Sequence, residues 1–325
     1  MKVQICWDIP GGAWQRLFDA SPAASPFHSP AWYAAWHAET GQAVGAVGFK
    51  FGDGTRAALP LALERTYRGA LLSARSGVAG GYGGLFGPQP LSGRHVRLAF
   101  QALARKFPDL AVQAFPHQSW DGAPRCPLTA VTRSQRVRLA PREVLRKGYF
   151  KNRRRDSRFA FEFAVDFGPL EGDRLDAFLA LYRVATGAWA PDRHVRGEAF
   201  WRALGERFTD LALDLAWQQG VVAAARVFAW RGGTAYDLAH VVAPRFRNGE
   251  AATAVTEGAL VYAHSLGLAY FDMMPSDGQE GVFQFKASFG AQPVPVLEFR
   301  QRSLLGRLYD RGRAWLEPRA SRSRM

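Results

Sequence analysis

A chain of 325 residues that is 48% hydrophobic and 13% aromatic can bury a sizeable core, which excludes wholesale disorder and allows one large or two medium domains. Its net charge of +14 and isoelectric point near 10.3 point to nucleic acid, a membrane surface or anionic substrates, although Arg makes up 36 of the 42 basic residues, a bias that GC-rich coding also produces. Two cysteines, Cys6 and Cys126, form no CxxC and join no His/Cys cluster, so neither a disulfide framework nor a metal site is expected.

The first residues, MKVQICWDIPGG, lack the long apolar run of a secretory signal, and no stretch of about 18 uncharged apolar residues follows. The expectation is a soluble, cytoplasmic protein, at most resting on the inner face of a membrane. Ser29-Pro30 starts a predicted helix with Trp32, Tyr33 and Trp36 at helical spacing. Two strands, Val44 to Phe51 and Arg56 to Arg65, flank the hairpin signal Asp53-Gly54. The Gly-rich stretch SGVAGGYGGLFG (76–87) is read as either a flexible cleft loop around Tyr82 or a surface turn, and it has no GxGxxG in a strand–helix setting. A helix over Arg94–Lys106 and a strand over Leu110–Phe115 follow.

The second half repeats this order. Helices are predicted over Asp173–Val184 and Glu198–Phe208, then strands over Leu211–Trp217, Val221–Trp230 and Thr234–Val242 joined by QQG and RGG turns. A helix from about Glu250 to Leu266, a strand over Leu268–Met273, an aromatic segment and a strand near Val294–Phe299 complete the half. Between the halves, Arg142 to Arg158 holds eight Lys/Arg against two acids: a solvated linker helix, or a site for an anionic ligand such as a lipid headgroup, a nucleotide-linked sugar or tRNA. The tail from Arg302 places Leu304, Leu305, Leu308, Tyr309, Trp315 and Leu316 on one side, suited to docking on the first half or to peripheral membrane contact. The order of elements argues an α/β layer architecture with mixed sheets.

The most informative stretch is Tyr270 to Gly290, YFDMMPSDGQEGVFQFKASFG. Only six Lys occur in the chain, yet Lys286 sits among Phe283, Phe285 and Phe289. Gly267 to Asp272 and Gly281 to Gly290 resemble the C-terminal signature of FemAB-like proteins, and more specifically the BioF-like acyltransferase domain of the GNAT superfamily found in polysaccharide-biosynthesis proteins of the CelD type. The opening SPFHSPAWYAAW resembles that family's start.

The resemblance implies two tandem GNAT-like domains, residues 1–140 and 161–300, with mostly antiparallel mixed sheets flanked by helices. A basic connecting helix would occupy 141–160, and an amphipathic helix with a disordered tail 301–325. It implies acyl transfer from acyl-CoA, without a metal, to an amine or hydroxyl on a small-molecule, lipid-linked or sugar-linked acceptor, with an envelope or exopolysaccharide precursor expected. An aminoacyl-tRNA-dependent peptidoglycan transferase and a non-catalytic binding module are the alternatives.

On this reading Asp272, near a strand's carboxyl end, positions substrate or acts as base, and Lys286 meets a substrate anion or the developing charge. His240 is either a base for the acceptor or a satisfied core residue. Period two places Tyr236, Leu238 and His240 on one face and Asp237 and Ala239 on the other. Tyr82, Tyr236 and Phe285 would line the substrate site. Arg245, Arg247, Asn248, Gly249 and Ala251 would cradle the donor's pyrophosphate at a helix N-terminus, although the spacing is imperfect and Glu250 opposes an anion there.

Overall fold

The computed structural model describes residues 1–66, 71–113, 128–187, 189, 195–246, 249–276, 278–304 and 307–308. The first half runs β1 (Val3–Cys6), α1 (Gly11–Asp19), α2 (Pro30–Thr40), β2 (Ala43–Phe51), β3 (Arg56–Thr66), β4 (Leu71–Ser76), α3 (Gly93–Lys106), β5 (Asp109–Gln113) and β6 (Leu128–Arg138). The connection holds α4 (Arg142–Gly148) and α5 (Lys151–Phe159). The second half runs β7 (Ala164–Gly168), α6 (Gly172–Thr186), α7 (Glu198–Arg207), β8 (Leu211–Gln218), β9 (Val221–Arg231), β10 (Thr234–Val242), α8 (Glu250–Ser265), β11 (Tyr270–Asp272), α9 (Glu280–Ala287) and β12 (Gln292–Gln301).

Local chemistry sets several boundaries. The Ser29 hydroxyl accepts from Trp32 N at 3.1 Å, with Pro30 at the first helical position, and Gly41 ends α2 in the left-handed region at φ 68°. Asp53 accepts from Thr55 N at 3.1 Å in the β2–β3 turn. Glu39, on α2, accepts from Gly197 N at 2.7 Å, so a carboxylate of the first half sits at the N-terminus of α7.

The strands form one twelve-stranded sheet, ordered β1-β2-β3-β4-β5-β12-β6-β11-β10-β9-β8-β7. It is antiparallel except at β4–β5 and β10–β11. Each half builds the same series and then gives its last strand to the other: β12 lies against β5, and β6 lies against β11. Pro293 and Pro295 are tolerated inside β12 because β5 reaches only Glu298–Gln301 on that side. The largest core knits the halves together through Phe27, Trp32 and Tyr33 of the first and Phe178, Phe200 and Trp201 of the second. A second core lies under α3, and a third between α8, β11 and Phe289.

Three expectations are corrected. The Gly-rich stretch is neither a flexible loop nor a surface turn: residues 76–87 are buried apart from Gly80. A Cβ at Gly81 would lie 2.4 Å from the Phe27 ring, so glycine is needed for that close approach. On β10 the period of two breaks at a bulge between Asp237 and Ala239, which turns His240 to the face of Asp237, away from that of Tyr236. Leu304 and Leu308 of the tail, expected on its packed side, are exposed, and residues 309–325 lie outside the described part.

Candidate functional site

The site begins where two parallel strands part. β10 and β11 pair over Thr234–Tyr270, Ala235–Phe271 and Tyr236–Asp272. There β11 ends, while β10 continues to Val242 with only β9 as its partner. The parting opens a cleft of ≈ 500 Å³ whose lining includes Asp237, His240, Arg226, Phe285, Lys286 and Ala252.

Arg226, from β9, is 1% exposed and organises the floor. Its Nη1 lies 3.3 Å from Asp237 Oδ2, and its Nη2 donates to His240 Nδ1 at 3.0 Å and Thr256 Oγ1 at 2.8 Å. A guanidinium can only donate, so Nδ1 of His240 accepts and Nε2 carries the proton. Burial, followed by the charges of Arg226, Lys286 and Arg153, holds His240 well below the ordinary imidazole range. His240 is thus a neutral N–H donor whose ring lies 5.6 Å from that of Phe285 at a 35° tilt, and the expected base role does not fit its geometry. Its Nε2 is buried without a hydrogen-bond partner among the described residues.

Asp237 lies beside His240 on the floor of the cleft. Burial pushes its carboxyl up, while Arg226, Lys286 and Arg196 oppose that shift. Its Oδ1 makes no hydrogen bond among the described residues. Sequence reasoning put Asp237 on the wrong face relative to His240, and an Asp-x-x-His spacing carries no visible bulge signal.

Lys286 is 8% exposed, on the face of α9 toward the cleft. Its Nζ donates to the carbonyls of Met274 at 2.9 Å and Pro275 at 3.0 Å. It therefore pins the segment after β11, in which Met274 adopts φ 59°. Phe285 lines the cleft, with the Arg153 guanidinium 4.7 Å over its ring.

Asp272, expected to face substrate, is 0% exposed. Its carboxylate accepts from Tyr82 Oη at 3.1 and 3.2 Å, from Met274 N at 2.8 Å and from Ser134 Oγ. Tyr82 is likewise 0% exposed, and its role here is to join the Gly-rich stretch to β11. Tyr236 is 2% exposed and packs edge-on against Phe27 at 5.4 Å. It borders a second cavity of ≈ 580 Å³, lined also by His28, Phe86, Arg136, Arg231 and Tyr270. Arg136 lies 4.2 Å over the Tyr270 ring.

At the expected pyrophosphate cradle, Gly249 caps α8 at φ 99° and Ala251 is buried. Arg245 is exposed and stacks on Phe246 at 4.7 Å. Arg247 and Asn248 lie outside the described residues. Arg153, missed as a member of this end, donates to Gly249 O at 3.4 Å and to Thr253 Oγ1. Asp156 Oδ2 pairs with the same guanidinium at 3.2 Å, so this cation is already partnered by a carboxylate beside the helix N-terminus. Among the described residues no group of three or more His, Cys, Asp or Glu is placed to hold a metal.

The fold is shared with solved structures. FemX superposes with a TM-score of 0.69 at 10% identity, covering 95% of this chain and 99% of that one. The C-terminal domain of a putative lysylphosphatidylglycerol synthetase from Agrobacterium fabrum gives 0.54 at 12% identity, covering 88% and 92%. A tandem GNAT protein from the clavulanic acid biosynthesis pathway gives 0.53 at 15% identity, covering 92% and 99%. At these identities the likeness is one of fold: the chain has a tandem GNAT-like α/β fold. No family model and no curated protein matches the sequence.

Proposed function

We propose that this chain transfers an acyl group to an amine or hydroxyl in the cleft between β10 and β11. The observation that carries the reading is the pairing, at one strand parting, of a carboxylate with an unengaged oxygen and a neutral imidazole with an unengaged N–H. Asp237 takes the proton of the acceptor as its nitrogen or oxygen bonds to the acyl carbon. The N–H of His240 donates to the oxyanion that develops there. The bond from the acyl carbon to the leaving sulfur, or oxygen, then breaks, and the leaving group takes up a proton.

The donor fits on the α8 side, where Gly249, Ala252 and the Arg153 cation meet the helix N-terminus, and acyl-CoA is the donor that this end suits. The acceptor meets Asp237 in the same cleft, on the side lined by Gly80, Tyr182 and Trp189. An envelope or exopolysaccharide precursor is the acceptor class we infer.

A thermal-shift series with CoA and acyl-CoAs tests the donor. A ligand at 100 times its Kd stabilises the folded state by about 2.7 kcal/mol. The expected result is a shift with acyl-CoA that Asp237→Asn retains while losing turnover. No shift with any CoA, together with transfer from an aminoacyl-tRNA, would replace the donor with the one used by a FemX-like transferase.

A further inference from the structure

The connection between the halves is anchored on one side and bare on the other. Arg146 donates to Glu257 at 2.6 Å and Arg142 at 3.3 Å, while Ser157 adds a bond at 3.0 Å. Arg153 donates to Ser288 Oγ at 3.0 Å. These contacts hold α4 and α5 rigidly on α8 and on the turn after α9. On α5 the buried positions are Arg153, Asp156 and Ser157.

The opposite face carries Lys151, Arg154, Arg155, Arg158 and Phe159, all exposed. Phe150, at the start of the helix, is 50% exposed, Phe159 43% and Phe161 79%. Among the described residues these are all the exposed phenylalanines. With Lys147 the surface has five basic groups against the exposed Glu143 and Glu162, and Arg155 shares its charge with Asp156 at 3.2 Å. A purely solvated linker accounts for the charges, but three water-exposed Phe rings fixed on a braced platform are disfavoured in water.

We propose that this face docks on an anionic lipid bilayer. Lys151, Arg154 and Arg158 would meet headgroup phosphates, and Phe150, Phe159 and Phe161 would enter the boundary between headgroups and acyl chains. A nucleic-acid duplex uses the cations equally well, yet Phe offers no group to hydrogen-bond a backbone or a base edge. The proposal stands apart from the acyl-transfer reading, since none of these side chains lines either cavity.

The test is sedimentation of the full chain with phosphatidylcholine vesicles, with and without phosphatidylglycerol. Binding is expected only with phosphatidylglycerol and should weaken as salt rises. Phe159→Ser with Phe161→Ser should abolish it at an unchanged circular dichroism spectrum. Each of Lys151→Glu and Arg158→Glu should weaken it at least roughly fivefold. Phe161→Trp should show a blue-shifted emission on phosphatidylglycerol vesicles. Failure to bind these vesicles overturns the proposal. So does binding that ignores the Phe substitutions, on vesicles or on a duplex RNA probe, because that is adsorption to any polyanion.

Discussion

Arg226 Nη2 donates to His240 Nδ1 across 3.0 Å, and this one bond decides what His240 can do. An imidazole whose Nδ1 lone pair is occupied and whose cationic form is penalised by burial and by Arg226 serves as a donor. Glutamine can place an N–H near the Nε2 position, whereas alanine cannot. His240→Ala is expected to lower kcat by about 10²-fold, the loss typical of one oxyanion donor, and His240→Gln to recover much of it. Equal loss in both variants, with the acid limb of the pH profile gone, would restore His240 as a base.

Asp237 must be ionised to accept a proton. Burial raises its pKa above the ordinary 3.8. The rate should therefore fall as pH drops through this raised value, and Asp237→Asn should remove the limb together with about 10²- to 10⁴-fold of kcat. Donor affinity should remain. A pH–rate profile of Asp237→Asn that keeps the acid limb at wild-type height would assign the base elsewhere.

Tyr82 and Asp272 lie 190 positions apart in sequence and meet through two contacts of 3.1 and 3.2 Å. Removing the hydroxyl leaves a fully buried carboxylate with fewer donors, a loss of about 1–3 kcal/mol. Tyr82→Phe and Ser134→Ala are each expected to lower the unfolding free energy by that amount, read as a lower urea midpoint at unchanged m-value. Both should keep near-normal kcat under conditions where they are folded, since Asp272 is sealed from the cleft. A variant of wild-type stability but without activity would instead put Asp272 in the reaction.

Much of the second half was legible because its signals are local. Thr234–Val242 begins and ends where alternation and the flanking RGG turn place it, and α8 starts at Glu250 as its left-handed Gly249 suggests. What stayed hidden depends on long-range pairing. β6 and β12 exchange places between the halves, and no feature of either strand announces its neighbour. β1 and β7 are edge strands of 4 and 5 residues, too short to show a period. The bulge at Leu238 adds one residue without a Gly or Pro marker, so Asp237 and His240 were assigned to opposite faces. Lys286 stood out by composition alone; its role in holding the Met274 and Pro275 carbonyls needed the fold.

Lys286→Met should act on both stability and turnover. The substitution keeps an unbranched chain one atom shorter while removing the donors to two carbonyls. Leaving such acceptors unsatisfied costs about 1–3 kcal/mol. It also frees the segment that follows β11, which forms one wall of the cleft. The expected signature is a lower urea midpoint with kcat reduced more than KM is raised. Wild-type kcat in a destabilised variant would restrict Lys286 to a purely structural tie.

His28 makes the chain sensitive to acid. Burial holds its pKa at about 4, below the ordinary 6.5, and backbone groups at Gly83 and Ser25 only partly oppose this. Between those values the unfolded chain takes up a proton that the folded chain refuses, so this contribution is complete above pH 6.5 and is lost as pH falls toward 4. The fall from 6.5 to about 4 corresponds to roughly 3 kcal/mol. The buried Asp237 and Asp272, whose pKa values are raised, act in the opposite sense below neutrality. The difference between wild type and His28→Gln isolates the histidine. The stability advantage of wild type, read from urea titrations, should shrink steadily from pH 7 to pH 4, and an advantage that stays constant over that range would show His28 to be accessible to protons in the folded chain.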